Sequence, residues 1–244
     1  MPSYNRNRAG PRGFVATLTP EGQINKVVAD INNLKNGHDL HNWSISARKE
    51  LTPALTIALQ VGADATARIY VPKLALVATS PVVRGYLQKN PTATTAKFVH
   101  PDISGEAVQA IAQWLREISY KAEFPELPMP EDLEEFMELR LTAYTLGMEL
   151  YTKHFDYYYA NDVECRAPDL DEITTIVDHT RDGKDAILGA LANQLSYLCR
   201  FHKVSEEREF AYANLLKEEK YDVLLEAVDE KEVKTKAERL SLGE

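Results

Sequence analysis

Between Pro20 and Gly37 the apolar residues Ile24, Val27, Val28, Ile31 and Leu34 recur at intervals of three and four, which places them on one face of an α-helix. Asn36-Gly37 closes the run, a pair that tolerates the left-handed backbone in which helices commonly end. A connector of mixed signals follows, "HDLHNWSISARKELTP". The period then changes to two. In "ALTIALQV" the residues Leu55, Ile57, Leu59 and Val61 share a face, and "TARIYV" returns after a turn at Gly62-Ala63-Asp64. The pattern predicts a β-hairpin. Pro72 closes the second strand, because it has no amide proton to give to a ladder.

Helical spacing resumes in "KLALVAT", where Leu74, Leu76 and Val77 are expected to be buried. Ser80 is placed to cap a further short helix, "PVVRGYLQ", with Pro81 at its first position. That helix ends near Asn90-Pro91. "AKFVHP" reads as a third strand, and either Asp102 or Ser104 caps "GEAVQAIAQWLREISY", whose stripe is Val108, Ile111, Trp114, Leu115 and Ile118. "KAEFPELPMPED" is a Pro-rich loop. "LEEFMELRLTAYTLGMELYTKHFDYYYANDVE" predicts two helices broken near Gly147. "LDEITTIVDHT" and "DAILGALANQLSYLCRFH" add two more, and "REFAYANLLKEEKYDVLLEAVDEKEVKTKAERL" one or two charged ones. No internal repeat is visible. The predicted class is α+β, mostly helical, with a small sheet flanked by a helix cluster and a helical extension at the C-terminal end. Leu76, Leu115 and Leu146 are expected in the core.

Composition narrows the function. A chain of 244 residues that is 44% apolar holds one large domain, or a medium one with extensions. A net charge of −9 argues against a broad nucleic-acid footprint, which needs clustered Lys and Arg. Cys165 and Cys199 are the only cysteines, a usage that fits reduced thiols in an intracellular protein, cytoplasmic or nuclear. No apolar run approaches the roughly 20 residues of a membrane span, so no membrane association is expected. The start, "MPSYNRNRAGPRGF", carries arginines and no acid. A mitochondrial transit peptide has that composition and stays open as an alternative, but Pro2, Gly10, Pro11 and Gly13 spoil an amphipathic helix, and residues 1–19 read as a disordered tail.

The order of hairpin, two short helices, strand, helix, loop and helix pair carries a resemblance. "LTIALQVGADATARIYVPKLALVATSPVVRGYL" resembles the front half of a BTB/POZ domain. That family reads strand, turn, a strand ending in Val-His-Lys, then a Leu-x-x-x-Ser-Pro-x-Phe junction. Val71-Pro72-Lys73 stands at the first motif, and Leu76, Ser80, Pro81 and Val83 at the second. "AKFVHPDISGEAVQAIAQWLREISY" and "LRLTAYTLGMELYTKHF" are similar to the strand, helix and helix pair that follow. The resemblance covers about residues 54–160. It implies an organisation of N-terminal helix and connector (20–53), BTB/POZ-like domain (54–160) and helical extension (161–244), the last similar to fungal BTB proteins. It implies a non-enzymatic adaptor or scaffold subunit that binds another protein, with a homodimer through the first helix as a further expectation. Two alternatives stay open: a substrate adaptor for a cullin-type ubiquitin ligase, and an enzyme of unknown type. Pro72 replaces the family histidine. Leu87-Gln88-Lys89 stands where cullin-recruiting members carry an apolar-x-Glu motif, and a lysine reverses that charge.

Candidate chemistry is sparse. His38 and His41 flank Asp39, but a metal site needs a further ligand, and none is evident. His154 and Asp156 in "TKHFDYYYAND" are the one pair with catalytic residue types. Neither cysteine sits in a motif, and no phosphate-binding Gly-rich loop occurs. No catalytic, cofactor or metal site is therefore expected. The candidate partner-binding residues are the first helix's Ile24, Val27, Ile31 and Leu34, together with Tyr157, Tyr158 and Tyr159, because tyrosine is common at binding surfaces.

Overall fold

In the computed structural model, which describes residues 18–51, 54–61, 67–98, 103–180 and 182–231, the first element is helix α1 (Pro20–Asn33). Thr19 caps it, accepting from the Gly22 amide, and Pro20 stands at its first position. The connector folds as a short 3-10 turn, Leu40–Asn42, and a helix α2 (Ile45–Lys49). Trp43 is buried there, and its indole N–H donates to the Gly37 carbonyl at 2.8 Å. The expected tail up to Thr17, the turn at Gly62-Ala63-Asp64, the end of the third strand with Asp102, and everything after residue 231 lie outside the described residues.

Strands β1 (Thr56–Val61) and β2 (Ala67–Pro72) pair antiparallel, with Ile57 opposite Val71 and Leu59 opposite Ile69. Helices α3 (Lys73–Thr79) and α4 (Pro81–Lys89) then carry the chain across to β3 (Thr95–Phe98), which lies parallel to β1 on its other side. The sheet order is β2-β1-β3. Lys73 is buried at the start of α3. Its ammonium donates to the carbonyls of Pro91 and Ala93 at 2.6 and 2.8 Å, tying the helix to the turn before β3. Burial of a cation with no carboxylate partner lowers its pKa.

The Ser80-Pro81 junction works as the spacing predicts and does one thing more. Ser80 accepts from the Val83 amide as the cap of α4, and its hydroxyl donates to the Leu146 carbonyl. Leu146 ends α6 (Leu133–Thr145), and Gly147 follows at φ +71. A Cβ on Gly147 would come within 3.2 Å of Val82 and 3.3 Å of Pro81. The left-handed backbone and the close approach both call for glycine. The helix junction and the helix break are thus one packed unit.

Helix α5 (Gly105–Ile118) is capped by Ser104, and its stripe of Val108, Ile111, Trp114, Leu115 and Ile118 is buried against β2 and α6. After Gly147 a 3-10 turn, Glu149–Thr152, leads into α7 (Lys153–Val163). Helices α8 (Leu170–Asp178), α9 (Ala186–Arg200) and α10 (Glu206–Leu215) follow, and the chain is again helical over 222–231. Helix α9 packs on α7, and α8 packs on α6. One hydrophobic core runs from Ile24 through Leu76, Leu115 and Leu146 to Leu191 and Leu224, so the C-terminal helices share it with the sheet. The architecture is α+β and mostly helical. Among the described residues no helix is long and apolar enough to cross a membrane.

Candidate protein-interaction surface

The first helix does not offer the face expected of it. Ile24, Val27 and Ile31 are buried against α3 and α4 of the same chain, and only Leu34, at 40% exposure, reaches solvent. An amphipathic helix needs one cover for its apolar face, and here the chain supplies it. These three residues are core, which removes them as a docking surface.

Helix α7 divides its tyrosines. Phe155, Tyr159 and Val163, spaced by four, face inward and are buried. Tyr159 therefore also leaves the candidate surface. Its hydroxyl donates to Glu172 at 2.7 Å, and Arg166 bonds the same carboxylate. Tyr157 and Tyr158 point the other way, at 74% and 57% exposure. With His154 and Asn161 they form the outer face of the helix.

Opposite that face runs the Pro-rich loop, held by three separate sets of bonds. The Trp114 indole N–H donates to the Pro125 carbonyl at 2.7 Å. His154 Nε2 bonds the Leu127 carbonyl at 3.0 Å. Arg48, 3% exposed, donates to the carbonyls of Ile118, Lys121 and Ala122, and its guanidinium lies 5.6 Å from the centre of the Phe124 ring. The loop is thereby fixed where α5 ends. Between it and α7 lies a groove of about 580 Å³, walled by Met129, His154, Tyr157, Tyr158, Asn161 and Cys165. A second groove of about 520 Å³ continues on the far side of Tyr158, toward the start of α8. A preformed groove with exposed aromatic side chains has little left to order on binding.

The residue types that suggested chemistry are each engaged elsewhere. His154 faces the loop carbonyl, while Asp156 binds Arg140 at 2.7 Å, so they form no pair. His41 Nδ1 bonds Asp39 at 2.6 Å, and its ring lies 4.2 Å from that of Phe124, tilted against it. Among the described residues no group of three metal-ligating side chains converges. Neither cysteine forms a disulfide. On α4, Leu87 is buried, while Gln88 and Lys89 are exposed.

The sequence marked Tyr157 and Tyr158 but not the opposite wall. Met129 and Glu126 belong to the groove because the loop folds back along α7, where Asn161 stands beside the tyrosines. The bonds that fix it there join residues 11, 27 and about 70 positions apart, and no local pattern announces them. No family model, no curated protein and no solved structure matches the chain.

Burial also leaves a titratable signature. Desolvation raises the phenols of Tyr151, Tyr159 and Tyr212 above their ordinary value of 10.0. Above pH 10 an unfolded chain loses protons that the native chain keeps, so native stability falls as pH rises. Phenolate absorbance, followed together with circular dichroism, should therefore show Tyr151, Tyr159 and Tyr212 ionising only as the chain unfolds. Ionisation of all 12 tyrosines in one reversible step with helices intact would contradict their burial.

Proposed function

We propose that this chain is an intracellular, non-enzymatic protein-interaction module, a BTB-like adaptor or scaffold subunit. It binds its partner through the groove between α7 and the Pro-rich loop. The observation that carries the reading is the side-by-side exposure of Tyr157 and Tyr158 over a groove whose opposite wall is bonded in place. Large amphipathic rings left in water on a rigid frame are the usual anchors of protein interfaces. The BTB part of the reading is supported by element order. A hairpin, two short helices joined at Ser80-Pro81, a strand parallel to the first, a helix and a helix pair follow one another. The enzyme alternative is less favoured, since the His and Asp residues near the groove are bonded away from one another. The cullin alternative has an exposed Lys89 where a carboxylate is wanted.

Affinity capture from native cells, with wild type and a Tyr157→Glu, Tyr158→Glu double variant side by side, tests the proposal. Both changes lie on exposed positions, so melting temperature should hold while a set of wild-type partners is lost. Capture of the same proteins by both forms would move the binding site elsewhere. A cullin retained by wild type would favour the ligase-adaptor alternative.

A further inference from the structure

Resting on that reading, the geometry points to an arginine-bearing segment of a partner protein as the occupant of the α7–loop groove. The walls are apolar and aromatic, and every charge on the rim of this groove is acidic, with Glu126 on the loop and Asp162 on α7. The adjoining groove shares Tyr158 and Asp162 and adds Glu131, Glu134 and Asp171. Among the described residues Arg166 is the only Lys or Arg lining either groove, and its charge is already matched by Glu172 and Asp162. Asp132 and Asp169 are engaged as helix caps. The carboxylates of Glu126, Glu131, Glu134 and Asp171 form no ion pair or hydrogen bond with another described residue. Glu134 and Asp171 have a local reason to be acidic, since they stand in the first turns of α6 and α8, where the helix dipole favours a carboxylate. Glu131 stands just before the cap of α6, whereas Glu126 lies on the loop and has none.

Carboxylates with no cation, set beside exposed phenol faces, favour one side chain above others. A guanidinium stacks on an aromatic ring and offers a planar fork to a carboxylate, and lysine does the second less well. A neighbouring leucine or aromatic residue of the same segment would enter the apolar part by Met129. Rim charges contribute to encounter and to salt dependence, and the aromatic pair to residence.

Fluorescence anisotropy on the full chain tests this with a labelled short peptide of arginines and leucines and with its glutamate-for-arginine counterpart. The arginine peptide should bind and weaken as salt rises, and the glutamate peptide should not bind. A Glu126→Lys, Glu131→Lys double variant should lower affinity about tenfold or more with melting unchanged. Glu21→Lys with Glu106→Lys makes the same change in net charge away from the groove and should have little effect. Equal losses in both variants, or equal binding of both peptides, would overturn the proposal. A variant with Arg6, Arg8 and Arg12 all changed to Glu that gains about tenfold in affinity would assign the groove to the chain's own arginines and overturn the partner assignment. If neither peptide binds while cellular capture still depends on Tyr157 and Tyr158, the arginine chemistry falls and the interaction module stands. If capture ignores the tyrosines, the module reading fails on its own test.

Discussion

Replacing Leu76 with Asp is expected to cost about 4 kcal/mol or more, out of a total stability that for a domain is typically ~5–15 kcal/mol. Leu76 is fully buried in α3, inside the core shared by α1, the sheet and the C-terminal helices. An aspartate there would lose its hydration, and its neighbours would lose a leucine's worth of contact. Leu76→Met keeps volume and apolarity and should cost less than about 1.5 kcal/mol. Urea melts followed by circular dichroism read both. A Leu76→Asp protein that melts like wild type would mean the Ser80-Pro81 junction is packed differently.

Removing the charge of Arg140 should come next in size. This side chain bonds Asp156 of α7 and Asp185 at the start of α9, each at 2.7 Å, from its place on α6. Burial opposes its charge, but the bonds to Asp185 and Asp156 outweigh that and hold its pKa above the ordinary value. Asp185 also caps α9 through the amides of Ile187 and Leu188. Arg140→Met would leave two partly buried carboxylates without the guanidinium that both bind, a loss of about 3–5 kcal/mol. Adding Asp185→Asn should recover part of it, because the two changes act on one network. A loss below about 1 kcal/mol in the same melts would mean that solvent already screens the pair.

These two sites differ in how far sequence alone reaches. Leu76 is legible because everything around it is local: the i, i+3, i+4 spacing, the Ser80-Pro81 cap, the strand that ends at Pro72. The stripe of α5 and the break at Gly147 are legible for the same reason. Arg140 is not, since its carboxylates lie 16 and 45 positions away. Periodicity correctly made α1 amphipathic but could not say what would cover its face, and α3 and α4 do. In sequence Tyr159 reads like its two neighbours, because three tyrosines in a row look alike. One helical step separates a core phenol bonded to Glu172 from two rings in water. The groove combines both cases, with one wall on a helix whose period can be read and the other on a loop placed by long-range bonds.

Tyr157 and Tyr158 are proposed as the place where this chain meets its partner. Covalent footprinting of tyrosine by mass spectrometry, on the free chain and on the captured complex, addresses it without any mutation. Both side chains should label readily in the free protein and be protected in the complex, while the similarly exposed Tyr70 and Tyr120 keep their labelling. Tyr157 and Tyr158 labelled alike in both states, with protection appearing at other exposed tyrosines, would place the partner elsewhere on the surface.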